Sequence, residues 1–209
     1  MEVTDNGDGT YIIAGGVANS DKNIYILDAN GNRSGILGKM LTENSFFDDG
    51  ALVTGAVIDC RDSSGRDFLE KFEKDTPDVI TYMNNAGNGK MYDFKDLGKD
   101  SLSGIELNKY RHRGMDLGTD KDGNKIFGSA RDVGNYAAGY VAGKSGLFWG
   151  EARLGFDGYQ STQSRKLCTE GAATQAAQSL GWIAGQNTSQ GKEILKYRLQ
   201  RMSMPAYRF

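Results

Sequence analysis

Histidine occurs once in this sequence, at position 112, and that scarcity excludes most chemistry built on imidazole. An imidazole-rich metal site cannot be assembled, and general acid–base work by a histidine pair, common in ribonucleases, has only one of its two groups. A nuclease built from carboxylates, Lys or Arg is not forbidden. A Ser-His-Asp or Cys-His mechanism would rest on His112 alone, and flanking Arg111 and Arg113 disfavour its protonated form, so it reads as structural. No metal and no cofactor are expected. Of the two cysteines, Cys60 and Cys168 lie far apart and show no metal spacing. They read as two buried thiols or, outside a reducing compartment, as one disulfide. The opening MEVTDNGDGT is acidic and polar, and no apolar run approaches the roughly 20 residues of a membrane span. Neither a cleavable leader nor membrane insertion is expected. An excess of positive charge is also missing: 25 Lys and Arg against 27 Asp and Glu leave a net charge of −2, so no nucleic-acid partner is expected.

Glycine, by contrast, is abundant, 29 of 209 residues against only two prolines, which signals turns and close backbone approaches rather than rigid linkers. Charge is unevenly spread. Residues 1–62 carry ten acids and four bases, whereas residues 189–209 carry five bases and one acid. These are either two solvated faces or, at the C-terminal end, a basic tail that docks an acidic partner.

Short β-branched or aromatic runs at 11–14, 23–27 and 51–58 alternate with the turn sequences NGDG, DANGN and DDG, which predicts strands joined by hairpins. Asp28, Asn30 and Asn32 imitate a calcium loop, but the glycine and the closing Glu are misplaced, so a hairpin turn is expected. From Ser63 the pattern becomes helical, with Phe68, Leu69 and Phe72 on one stripe and a cap at Ser63 or Ser64. Thr76-Pro77 predicts a second helix start, with Thr76 as cap and Pro77 at the first helical position. Residues 87–126 read as mostly loop with a strand or short helix, and helices are expected near 130–143, 147–160, 168–185 and 190–201. The expected fold is α+β: a small N-terminal antiparallel sheet over 1–62, followed by a mostly α-helical domain over 63–209.

Candidate chemistry then falls to carboxylates, amides and tyrosines. In FGSARDVGNYAAGYVAG, residues 127–143, helical spacing groups Asp132, Asn135, Tyr136, Gly139, Tyr140 and Gly143 on one face. That face suits a sugar site, or equally core tyrosines, a capping Asp132 and glycines that admit another helix. In the next helix Glu151 either complements the helix dipole or serves beside Trp149 as a general acid raised by apolar surroundings. Arg153 and Asp157 read as a surface ion pair.

GKMYDFK at 89–95, FGSARDVGNYAAGYVAGKSG at 127–146 and GFDGYQ at 155–160 together resemble the polymorphic-toxin family called bacterial toxin 44. The N-terminal segment is similar to the regions preceding such domains in Rhs-type and type VI secretion effectors of Bacteroidetes. Tyr92 replaces the family's usual Trp and Val133 its Phe. The resemblance implies an antibacterial toxin, exported without a signal peptide by a contact-dependent secretion-system carrier or adaptor and neutralised by a cognate immunity protein. The family's chemistry has been described both as ribonuclease and as cell-wall lysis. With few histidines and no overall basic charge, the reading is a peptidoglycan glycan-strand hydrolase of muramidase or lytic-transglycosylase type, acting in the target periplasm. Asp132, Glu151 and Asp93 are the expected catalytic residues, and Lys95, Asn135, Tyr136, Tyr140 and Gln160 the substrate-binding ones. The glycines of 127–143 then read as clearance for a substrate strand. The alternatives are a ribonuclease using Asp93, Lys95, Asp132 and arginines at 111–113, and a non-catalytic adaptor or binding protein.

Overall fold

The computed structural model describes residues 1–87, 89–164 and 171–203. Seven strands close into a barrel: β1 (Glu2–Asp5), β2 (Thr10–Gly15), β3 (Asn23–Leu27), β4 (Arg33–Met40), β7 (Val57–Asp59), β8 (Gly114–Thr119) and β9 (Lys125–Ser129). A two-stranded ribbon of β5 (Phe47–Asp48) and β6 (Ala51–Leu52) lies between β4 and β7 in the chain. Around the barrel the order is β1-β2-β7-β8-β9-β4-β3, and β3 returns to β1. The pairs β1/β2, β2/β7, β3/β4 and β8/β9 are antiparallel, whereas β1/β3, β4/β9 and β7/β8 are parallel. Closure pairs every strand on both sides and removes the exposed edges of an open sheet.

This overturns the expectation of a small N-terminal antiparallel sheet followed by a mostly helical domain: the barrel is mixed, and about 44 % of the chain is helical. Two of its strands come from 114–129, where the sequence GMDLGT and KIFGS offers few β-branched residues. Gly114 and Gly128 stand there because neighbours occupy their side-chain space, and Gly118 because its φ is 102°. A Cβ on Gly114 would sit 2.6 Å from Ile58 Cγ1 and 2.9 Å from Phe46 Cε1. β-Propensity is blind to such positions, since it measures how side chains pack on the pleat. The barrel interior is filled by Val3, Ile13, Ile24, Met40, Phe46, Ile58 and Phe127, all at most 1 % exposed, so it is a packed core and not a channel.

The helices cover one side: α1 (Ser64–Lys74), α2 (Val79–Asn85), α3 (Gly104–Arg111), α4 (Ala130–Lys144), α5 (Trp149–Ser164), α6 (Ala172–Asn187) and α7 (Ser189–Ser203), with a 3-10 turn at Phe94–Asp96. At α1, Ser63 precedes the helix without a side-chain cap bond. For α2, Asp78 and not Thr76 is the cap, accepting from Thr81 N at 2.9 Å, while Thr76 bonds back to the Phe72 and Glu73 carbonyls. Asp28 accepts from the Asn30 and Asn32 amides, which makes the 28–32 loop a hairpin turn. β9 runs straight into α4, and Ser129 is both the last strand residue and the helix cap.

α4 is the hub of the helical layer. Its Val133, Ala137, Tyr140 and Val141 pack on Phe68, Leu69 and Phe72 of α1 and on Tyr82 of α2. On its far side α4 meets α6 backbone to backbone. A Cβ on Gly139 would lie 1.9 Å from the Gln178 carbonyl oxygen, one on Gly143 2.1 Å from that of Trp182, and ones on Gly181 and Gly185 2.0 and 2.2 Å from those of Tyr136 and Tyr140. Four glycines, two from each helix, are therefore a condition of this crossing.

Candidate functional site

The rim of the helical layer holds two adjoining cavities that share Lys95, Arg131 and Asn135. One, of about 150 Å³, is an apolar chamber between α2, α4 and α5, walled by Val79, Met83, Tyr92, Ala138 and Phe156, with Asp93 and Glu151 also on its lining. The other, of about 330 Å³, is a polar basin lined by Asp48, Asp49, Asn108, Arg111, His112 and Thr174. Arg131 and Asn135 reach this junction because they lie one turn apart on α4 and the capped strand-to-helix joint fixes that helix against the barrel.

The sequence candidates divide. Asp93, Lys95, Asn135 and Glu151 come together on the chamber, from three parts of the chain. Asp132 does not. It is 2 % exposed and completes a capping box, its Oδ2 accepting from Ser129 N at 3.0 Å while Ser129 Oγ accepts from Asp132 N at 3.1 Å. Burial pushes its carboxyl up to about 6 against the opposing hydrogen bonds of Ser129 and Ser45, yet it faces neither cavity. Tyr136 and Tyr140 are also turned away. The Tyr136 hydroxyl donates to Glu73 at 3.2 Å, and burial and that carboxylate both push its ionisation up; Tyr140 stacks on Tyr136 and meets Phe72 edge-on. Gln160 lies outside the described side chains.

Glu151 differs from the expected general acid. It accepts from the Phe148 amide at 2.9 Å and pairs with Arg198 of α7 at 2.6 Å, and the Arg198 hydrogen bond holds its carboxyl below the usual range. The glycines differ too. Gly139 and Gly143 face α6 and leave no room for a substrate strand; of the glycines in this stretch only Gly134 lines the chamber. The ion pair of Arg153 with Asp157 is present, and Arg153 also donates to Gln178 at 2.7 Å.

The basin gathers His112, read from the sequence as structural, and Arg111, named there for a ribonuclease, with Arg131, which the sequence did not single out. His112 is 1 % exposed and lies on the basin lining. Its Nδ1 lies 2.9 Å from the Asn108 carbonyl, which can only accept and so favours the proton on Nδ1, while Nε2 lies 3.4 Å from Arg131 Nη1. Burial first, then the charge of Arg131, lower its pKa; the Asn108 and Phe47 carbonyls and Asp48 oppose them. Arg131 donates to Asp48 at 2.5 Å and to Thr174 at 3.0 Å. Arg111 forks onto Asp96 at 2.6 and 2.7 Å; burial pushes that carboxyl up, but Arg111 and Lys99 outweigh it and hold it at about 2. Lys95 Nζ stands 3.6 Å from Asp93 Oδ1, beyond hydrogen-bond length. The signal for this cluster was Arg111-His112-Arg113, where two guanidiniums flank the lone histidine.

Such a set can bind an anion at the Lys95–Arg131 junction, take a proton at a neutral imidazole, and house an apolar group beside the anion. Among the described residues no group of three or more His, Cys, Asp or Glu could hold a metal ion, and no helix is long and apolar enough to cross a membrane. Compared with protein-family models, curated proteins and solved structures, the chain matches none.

Proposed function

We propose that this chain is a ribonuclease of the toxin type, cleaving RNA at the junction of basin and chamber. The observation that carries the reading is the convergence of Lys95 and Arg131 with the Nε2 side of a neutral His112. The phosphodiester sits between the Lys95 ammonium and the Arg131 guanidinium, which offset the charge that grows on the phosphoryl oxygens. His112 Nε2 takes the proton of the ribose 2′ hydroxyl, whose oxygen attacks phosphorus. The bond from phosphorus to the 5′ oxygen of the next nucleotide breaks, and Lys95 gives that oxygen a proton, leaving a 2′,3′-cyclic phosphate. Lys192, Lys196 and Arg201 stand on α7, the helix that Arg198 ties to the chamber rim at Glu151, and extend positive charge along the path of an RNA strand.

The resemblance to bacterial toxin 44 supports the same setting: an effector carried into a rival cell and held in check by an immunity protein. In that setting the chain acts in the target cytoplasm. Leaderless expression should degrade cellular RNA and stop growth, and the same chain exported to the periplasm should be tolerated. Intact RNA after incubation with micromolar purified protein would refute the proposal.

A second reading, cleavage of peptidoglycan glycan strands, is favoured by one observation: Asp93 and Glu151 line the same chamber as Tyr92 and Phe156. It stands second because Glu151 is ion-paired and its carboxyl lowered, and because Asp132, whose carboxyl is raised, lies outside both cavities. Soluble muropeptides released from purified sacculi, with RNA left whole, would reverse the order.

A further inference from the structure

We infer that the apolar chamber reads guanine and that Asp93 is the residue that selects it, an inference resting on the ribonuclease reading only for the strand to which the base belongs. The Asp93 side chain is 3 % exposed, yet it lines the chamber. Its Oδ2 accepts from Gly89 N at 2.9 Å, whereas Oδ1 forms an ion pair with Lys95 at 3.6 Å and has no hydrogen bond among the described residues. A carboxylate has about four acceptor positions and no donor. Oδ1 therefore keeps acceptor capacity towards a cavity that joins flat or apolar walls, Met83, Tyr92, Ala138 and Phe156, to polar groups of Arg131, Asn135, Glu151 and Gln178.

The chemistry of the bases selects among occupants. Guanine alone presents two adjacent donors, N1–H and the 2-amino group, which a carboxylate receives as a pair. Adenine and cytosine each place an acceptor next to their amino group, and uracil flanks its N3–H with two carbonyls; each would set a lone pair against a buried carboxylate. Asn135, from α4 on the same lining, supplies an amide for the O6 and N7 side of the ring. Lys95 follows Asp93 by two residues and borders both cavities, so one short turn of chain holds the base reader and the phosphate holder. Specificity of this kind is strong because the wrong base leaves the site's polar groups unpaired.

The test is calorimetric titration of the intact chain with the 3′-monophosphates of guanosine, adenosine, cytidine and uridine, alongside cleavage of oligoribonucleotides that each contain a single purine. Guanosine 3′-monophosphate should bind at least tenfold more tightly than the other three. Asp93→Asn should erase the preference, and Lys95→Ala should weaken all four alike. Equal affinity among the four in the wild-type chain, or no binding of any, overturns the inference, and that measurement depends on no variant. Cleavage of RNA without preference for guanine overturns it while leaving the ribonuclease standing. Selective guanosine binding with intact RNA supports the guanine site and removes the ribonuclease.

Discussion

Gly139→Ala should destabilise this protein even though alanine is the better helix former. In the middle of α4 the exchange gains about 1 kcal/mol of helix propensity. Against this, the new Cβ would lie 1.9 Å from the Gln178 carbonyl oxygen, 2.7 Å from its carbon and 2.9 Å from Trp182 N. Ordinary contact begins near 3.4 Å, so α6 must retreat by more than about 1 Å. All three atoms are main chain, so no rotamer change relieves the clash. The neighbouring approaches at Gly143, Gly181 and Gly185 are equally close and would open together. Overpacking of a well-packed contact costs about 1–3 kcal/mol, and a rigid backbone partner puts this case at or above the upper end. The net loss should be about 2 kcal/mol or more, a fall in Tm of roughly 4–8 °C for a chain of this size. Gly155→Ala is the control: mid-helix in α5, with nothing within 4 Å of its new Cβ, it should gain up to about 1 kcal/mol. Urea and thermal unfolding followed by circular dichroism measure both. If Gly139→Ala matched the wild type while Gly155→Ala behaved as stated, the backbone crossing of α4 and α6 would be wrong.

Four further outcomes follow from the site and its charges. His112→Gln should lower RNA cleavage by about 10²-fold or more, and the wild-type kcat/KM profile should lose activity on an acidic limb centred below 6.5, since burial and Arg131 lower that pKa; a limb above 6.5, or one unchanged in the variant, would remove His112 as base. Asp132 has a folded pKa of about 6 against 3.8, so its stabilisation is complete below 3.8 and about 3 kcal/mol of it is lost as pH rises through 6. Asp132→Asn should remove that loss, and the difference in unfolding free energy between the two chains, of which about 2 kcal/mol develops from about pH 4.5 to about 7.5, isolates it from His112, which acts in the opposite sense. Asp96 has the reverse sign: held at about 2 against 3.8, it contributes about 2 kcal/mol above 3.8 that is lost as pH falls through 2, and Asp96→Asn should lower stability at neutral pH by at least that much. Glu151→Gln should leave RNA cleavage within about threefold of wild type, because Glu151 lies on the rim and is committed to Arg198; a loss of about 10²-fold in kcat would make Glu151 a catalytic residue of the ribonuclease and refute that placement.

Much of the secondary structure was legible and the architecture was not. The last four helices announced themselves by apolar spacing and fall at 130–144, 149–164, 172–187 and 189–203, within a few residues of expectation. The strands at 10–15 and 23–27 carried Ile and Tyr in turn-bounded runs. β8 and β9 carried no such signal, because Gly114 and Gly128 make way for Ile58, Phe46 and Leu117 from facing residues. A barrel's closure is a fact of pairings far apart in sequence: β4 meets β9 through Met40 and Phe127, and β7 meets β8 through Ile58 and Gly114. No local window contains both members of such a pair. The expected single strand at 51–58 likewise became β6 and β7, since the chain turns at Thr54-Gly55 to pair with two different partners.

At the site, the sugar-site reading took one stripe of α4 as one environment, whereas the packing follows the other reading of that face: core tyrosines, a capping Asp132 and glycines that admit another helix. At 100° per residue, Asn135 to Tyr140 spans roughly 140° of the helix circumference, wide enough to face a cleft on one side and a neighbouring helix on the other. Asn135 looks into the cavities, the glycines take the backbone of α6, and Tyr136 and Tyr140 turn to Glu73 and Phe72. Asp132 illustrates the same limit in another way: an acid three residues after a serine at a strand-to-helix joint has the local signature of a capping box. Its raised pKa comes from burial behind that box, where no substrate reaches. His112, read as structural, is buried and bonded to the Asn108 carbonyl as that reading expects, and it also borders the basin, where the proposed ribonuclease would use it with Lys95 and Arg131. What no spacing could reveal is that residues 48, 95, 112 and 131, drawn from the ribbon, a 3-10 turn, the end of α3 and the start of α4, border one basin. The barrel brings them together, because β8 leaves α3 and β9 enters α4 side by side.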